Sequence, residues 1–128
     1  MANKYLLDSS AWIEYFAGTE KGMKIKQFIN DAQIYTTGVI VAEVSTHFLK
    51  KGLHAGEAIS AIRSLAQLVH FDFNLGQKSA EIYIKERKTQ GKFGLADAHV
   101  VATARTVQAK LITCDYDFLS ISEAIVIK

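Results

Sequence analysis

The sequence predicts an α/β fold: a parallel sheet with helices packed on both of its faces. Three observations predict it. Short apolar runs alternate with segments of helical apolar spacing along all 128 residues. Several of those runs are apolar at every position, as in strands covered on both faces. There is no proline, no low-complexity stretch, no internal repeat and no composition shift to mark a linker, so residues 1–128 read as one domain.

Taken in order, Tyr5-Leu6-Leu7 is a buried strand. Ser9 and Ser10 are helix-start residues, Trp12, Ile13 and Phe16 follow at helical spacing, and Gly18 supplies a stop. A second helix covers Lys21 to Asn30, with Ile25, Phe28 and Ile29 on one face. The β-branched and aromatic content of Gln33 to Thr37 predicts a strand. Val39 to Lys51 fits a helix closed by Gly52, although its Val and Ile content also suits a strand. Glu57 to Gln67 is a helix, and Leu68 to Phe73 a strand. Asn74 and Gln77 have capping-box spacing, which predicts a helix from Leu75 to about Gln90. Gly91 and Gly94 bracket a turn. Leu95 to Ala104 is almost wholly apolar and predicts a helix buried on most sides. Leu111 to Cys114 is a strand, Asp115 to Leu119 a loop or short helix, and Ile125 to Ile127 the last strand.

Apolar residues make up 49% of the chain and charged residues 22%, which excludes a disordered chain. The single Cys114 excludes an intramolecular disulfide framework and a multi-Cys metal cluster. No apolar run approaches the roughly 18 residues needed to span a membrane, and no secretory core follows Met1, so the expected compartment is the cytoplasm. The net charge of +2 hides an uneven distribution. If several acids converge in one pocket, the remaining surface is basic and suits a polyanionic partner. An ordinary solvated basic surface gives the same arithmetic.

In parallel sheets the site lies beyond the carboxyl ends of the strands. Asp8 directly follows the first strand, and Asp115 directly follows Leu111 to Cys114. If those strands are neighbours, both carboxylates reach one rim. Asp97 sits near the start of the apolar helix, and Glu43 is surrounded by Val39, Ile40, Val41, Ala42 and Val44. An unpaired charge in such surroundings is costly, so each acid must be paired, coordinated or aimed at a cleft. A single such acid is commonly a helix cap or an ion-pair partner. Four together are harder to place that way, since no Lys or Arg lies between Thr36 and Phe48 or between Phe93 and Thr103. Clustered carboxylates need a cation to stay ionised, and oxygen-only ligands suit Mg²⁺ or Mn²⁺. Such an ion can activate water and clamp a phosphodiester. An acid cluster on a basic α/β domain therefore points to a metal-dependent nuclease.

Four segments carry a resemblance: Leu6-Leu7-Asp8-Ser9-Ser10-Ala11-Trp12, Val41-Ala42-Glu43-Val44, Leu95 to Ala104, and Thr113-Cys114-Asp115-Tyr116-Asp117-Phe118. In order and separation they resemble the signature blocks of the PIN-domain family, and the size is similar to that of a free-standing VapC-type toxin. The resemblance implies a five-stranded parallel sheet in a three-layer α/β/α sandwich. It implies Mg²⁺- or Mn²⁺-dependent endoribonuclease activity on RNA, a homodimer, and a VapB-like antitoxin partner, with DNA contacted only through that antitoxin. Carried over by position, the catalytic and metal-binding quartet is Asp8, Glu43, Asp97 and Asp115. Asp8, Asp97 and Asp115 are then expected to hold the metal, directly or through waters, while Glu43 binds a second ion or orients the attacking water. Ser9 and Thr113 match the small hydroxyl positions beside the acids, and Asp117 is the acid that some relatives add. The chain departs from the pattern in lacking the usual prolines and in placing His99 where many relatives carry an aliphatic residue.

Other residues have plainer readings. Asp117 also suits a turn or cap. His47 falls four residues after Glu43, on the same helical face, but a solvated or hydrogen-bonded histidine explains it as well. His99 reads as packing or interface, and Cys114 as an inert strand residue. Trp12, Tyr15 and Phe16 form either core or a groove for an antitoxin segment. Lys85, Arg87, Lys88 and Lys92, like Lys50 and Lys51, are a solvated face or phosphate contacts. No His has a Ser or Cys partner in a triad motif. The rival to an enzyme is a non-catalytic binding module acting in a repressor complex with the antitoxin. An Asp-nucleophile phosphatase would want an acid at position 10, where Ser10 stands.

Overall fold

The structure is a computed structural model and describes residues 2–128. Five strands alternate with helices along these residues. They are β1 (Lys4–Leu7), β2 (Gln33–Thr36), β3 (Ala66–Leu68), β4 (Lys110–Thr113) and β5 (Ala124–Val126). The helices are α1 (Ser9–Ala17), α2 (Glu20–Ile29), α3 (Gly38–Lys50), α4 (Gly56–Leu65), α5 (Phe73–Arg87) and α6 (Leu95–Val107), and Tyr116–Phe118 forms a 3₁₀ turn. The sheet is wholly parallel, in the order β3-β2-β1-β4-β5.

That order fixes the layers. From β1 the chain steps one way to β2 and β3, then returns past β1 to β4 and β5. Right-handed crossovers put α1 to α4 on one face and α5 with α6 on the other. The contacts agree: α1 packs on α2 and α3, α3 on α4, and α5 on α6. This is the three-layer sandwich expected. Its core is filled by Leu6, Leu7, Trp12, Ile40, Val44, Phe93, Val101, Leu111, Ile112 and Phe118, all buried. None of the helices is long and apolar enough to cross a membrane.

Helix α3 is a helix and not the strand its Val and Ile content allowed. The Thr37 hydroxyl accepts from the Ile40 N–H at 3.2 Å and starts it. Ile40 and Val44, four apart, then face the core while Ala42 and Glu43 face out. Three of the boundaries that differ from expectation have a clear cause. Strand β3 is Ala66–Leu68, not Leu68–Phe73, because Ala66 turns extended straight after α4 and pairs with Ile34. The cap of α5 is Asp72, whose carboxylate accepts from the Leu75 N–H at 2.9 Å, so Asn74 lies inside the helix. Strand β5 begins one residue early, at Ala124, and the Ile127 N–H still donates to the Thr113 carbonyl at 2.8 Å.

Candidate active site

The connections from β1 and β4 leave toward opposite edges of the sheet, so the crevice beyond their carboxyl ends is a topological switch point. Asp8 stands there as the N-cap of α1. One carboxylate oxygen accepts from the Ala11 N–H at 2.9 Å and from the Ser10 hydroxyl at 2.7 Å. The other accepts from the Thr113 hydroxyl at 2.5 Å, across the β1–β4 pair. Thr113, fully buried, in turn accepts from the Asp115 N–H at 3.0 Å. Ser10 accepts from the Cys114 N–H at 3.0 Å. The end of β4 is thus tied to the start of α1 by two hydroxyls, and Asp8 is 6% exposed beneath them.

Asp115 caps the 3₁₀ turn, accepting from the Asp117 N–H at 2.9 Å. Asp97 reaches back to the Gly94 N–H at 2.8 Å and so closes the first turn of α6. Glu43 projects from α3. Electrostatics shows which acids face one another. Burial raises the Asp8 carboxyl above its usual range; the hydrogen bonds from Thr113, Ser10 and Ala11 oppose this, and Asp115 adds to it. Asp97 is raised by burial and by Asp115 and Asp117, against the Gly94 N–H and His99. The Glu43 residue is exposed as a whole, yet its carboxyl is crowded enough for desolvation to raise it, with Asp8 and Asp97 adding and the Ser9 hydroxyl opposing. The Asp115 charge thus acts on Asp8 and Asp97, the Asp8 and Asp97 charges act on Glu43, and Asp117 acts on Asp97. Among the described residues the one ion pair is Arg105–Glu123 at 3.0 Å, so no Lys or Arg neutralises the group.

No three of the described His, Cys, Asp and Glu side chains stand in ready-made chelating geometry. The donor set nevertheless fits a hard divalent ion. It offers only oxygens, its charges oppose one another, and Mg²⁺ keeps several waters between itself and its ligands.

Two residues beyond the predicted set matter. Ser10, not Ser9, bridges Asp8 to the end of β4. Its signal in the sequence was only its place two residues after a capping Asp. His99 is buried, as packing would require, and it also carries a specific bond. Its Nδ1 lies 2.6 Å from the Ala96 carbonyl and must donate there. Its Nε2, 2.8 Å from the Thr37 hydroxyl, then accepts. The bond joins the cap of α3, which carries Glu43, to His99 on α6, two residues beyond Asp97. Burial holds the His99 ring below its usual pKa, against the opposing pull of Ala96 and Asp97. Cys114 lies just past β4, half-buried, with its thiol pushed up to about 11 by burial, and is inert. His47 is edge-on to Phe48 at 5.4 Å and lines an open pocket with Glu43 and Lys50. Trp12 is core, whereas Phe16 and Phe48 flank a shallow groove with His54, Glu57, Ala58 and Ala61.

A parallel α/β/α sandwich with acids gathered at its switch point defines the class of this protein. A family model of the PIN domain matches residues 5–124, and the chain belongs to that family. Solved structures share the fold. One is a toxin–antitoxin complex from Klebsiella pneumoniae, at 23% identity, 97% of this chain, 98% of that one and a TM-score of 0.70. Another is VapC20 of Mycobacterium tuberculosis, described as a sarcin-ricin loop cleaving toxin, at 17% identity, 92% and 95% coverage and a TM-score of 0.71. A third is DNA-bound VapBC from Salmonella typhimurium, at 13% identity, 97% and 96% coverage and a TM-score of 0.71. No curated protein matches the chain in sequence.

Proposed function

We propose that this PIN-domain protein is an endoribonuclease that depends on Mg²⁺ or Mn²⁺, and that it is the toxin of a type II toxin–antitoxin pair. The observation that supports the proposal is that Asp8, Glu43 and Asp97 are each burdened by the charge of another acid of the set, Asp115 among them, while the one ion pair of the described residues lies elsewhere. Asp8, Asp97 and Asp115 would hold the ion, and Asp117 stands beside them. Such an ion supplies charge neutralisation at the scissile phosphate and acidifies a water. The protein supplies the rest. Ser10, Thr113 and the Ala11 N–H hold Asp8 in one orientation. Glu43, raised toward neutrality, is suited to take a proton from the attacking water. The His99–Thr37 bond fixes the spacing between the Glu43 and Asp97 helices.

RNA cleavage should require Mg²⁺ or Mn²⁺ and should fall by at least about a hundredfold in Asp8→Ala and in Asp97→Asn. Protein freed of any partner that stays inert on every RNA class with both metals would defeat the proposal. The partners follow from surface chemistry. A VapB-like antitoxin segment fits the groove between Phe16 and Phe48, and DNA would be reached only through that antitoxin, as the antitoxin-bound, DNA-bound relatives suggest. A homodimer would cover the segment in which Leu68, Phe71 and Phe73 are exposed, Phe73 fully so. Sedimentation of Phe73→Lys as a monomer, where the unaltered chain is a dimer, tests that face.

A further inference from the structure

We propose that Tyr116 and Lys21 form a subsite that grips one unpaired nucleotide of the RNA beside the acidic centre, the Tyr116 ring stacking on the base and the Lys21 ammonium meeting the adjoining phosphate. The inference rests on the nuclease reading and says where that site takes hold of its substrate.

Tyr116 lies between two acids of the centre, Asp115 and Asp117, in the 3₁₀ turn after β4. That turn is held on both sides. Asp115 caps it, the Leu119 N–H donates to the Tyr116 carbonyl at 3.1 Å, and Phe118 is buried edge-on against Phe93 at 5.9 Å. The backbone is therefore held while Tyr116 as a whole is left 54% exposed. A rigid aromatic ring facing water at the rim of a phosphodiester site is what a sequence-tolerant stacking platform needs, because every base has a π-face.

Lys21 supplies the missing charge. Its ammonium lies 5.9 Å from the centre of the Tyr116 ring. Its place is set by its neighbour Gly22, which lets α2 sit directly on the Glu14 carbonyl of α1, where an added Cβ would come within 2.1 Å. A polyanion approaching five carboxylates is repelled, and a cation fixed at their edge lowers that barrier. The stacking ring thus sits one residue from Asp115, with the Lys21 charge beside it.

The test is binding of a short, unstructured, fluorescently labelled RNA, followed by anisotropy in an Asp97→Asn background without divalent metal so that no cleavage intervenes. Tyr116→Ala and Tyr116→Leu should each weaken binding about five- to a hundredfold, while Tyr116→Phe and Tyr116→Trp should retain it. Lys21→Ala should lower the slope of log K against log salt by about 0.7, the share of one phosphate contact on a single strand. In the metal-loaded enzyme, Tyr116→Ala should raise KM more than it lowers kcat. Unchanged RNA affinity in both Tyr116→Ala and Tyr116→Leu, with their melting temperatures intact, overturns the subsite while leaving the nuclease standing. Failure of the unaltered chain to cleave RNA with either metal overturns both.

Discussion

Asp8 and Asp97 carry the same side chain into different surroundings, and substitution should separate them. Asp97 makes one backbone bond, to Gly94, which an asparagine oxygen can also accept. Asp97→Asn removes a desolvated charge facing Asp115 and Asp117, so the metal-free protein should melt at the same temperature or higher. A clear drop would mark Asp97 as a structural partner instead. Asp8→Ala is different. It strips the cap from α1 and leaves the buried Thr113 hydroxyl without its acceptor, each costing about 1 kcal/mol or more. Relief of repulsion offsets part of this, and urea denaturation should show a net loss of about 1–2 kcal/mol. The sequence marked all four acids as candidates, Asp8 and Asp115 because they directly follow strands, Glu43 and Asp97 because a carboxylate inside an apolar run has to be explained. Ser10 was not legible. Its role depends on β4 lying beside β1, which places the Cys114 N–H within reach of its hydroxyl. His99 was visible only as a departure from an aliphatic position; its bond to Thr37 needs the two helices in place.

Among the elements, α1 and α2 approach closely at Gly22. Gly22 sits inside a helix, where glycine ordinarily costs stability. Here an alanine methyl would meet the Glu14 backbone at 2.1 Å, and backbone cannot yield as a flexible side chain does. Gly22→Ala should therefore cost about 1–3 kcal/mol in urea denaturation, against a gain if the position were merely helical. Gly76, also helical, has open space around it, and Gly76→Ala serves as the control. Element types were read well where apolar spacing or a long apolar run spoke for a helix, as for α1, α2 and α6. The strand placed at Leu68 to Phe73 was misread for a physical reason. β3 is an edge strand whose Gln67 and Leu68 are exposed, so it carries little apolar signal, whereas Val69 and Phe71 just beyond it carry more. The cap of α5 was misplaced because Asp72 and Asn74 are both capping residues and spacing alone favoured the second.

At the scale of the whole molecule, the gathered acids should govern how stability follows pH. Asp8, Glu43 and Asp97 all titrate above their usual values in the folded state. The native protein then binds more protons than the unfolded chain in that range. The metal-free protein should be most stable below the ordinary carboxylate pKa of about 4 and should lose stability as pH rises through the raised values. Glu123, lowered by Arg105 against the effect of its partial burial, works the other way, contributing above its usual pKa and losing that contribution on acidification. It is one exposed pair against three acids. Melting temperatures measured across about pH 4 to 8 check the sign, and Asp97→Asn should flatten the curve. Added Mg²⁺ or Mn²⁺ should raise the melting temperature, more at about pH 7 than at about pH 5, because only ionised carboxylates hold the ion. Stability that climbs with pH and ignores both metals would contradict the reading of the centre.

The bond between Asp8 and Thr113 spans a sequence separation of 105 residues. During synthesis, β1 emerges first and must wait for a strand whose Thr113 is made 105 residues later. A nascent polypeptide lacking β4 has neither the Thr113 hydroxyl nor Asp115, so its centre is incomplete. The nuclease proposed here would then be born harmless, unable to cut the messenger it is being read from. A single break anywhere between those two strands would leave it dependent on the two fragments staying docked.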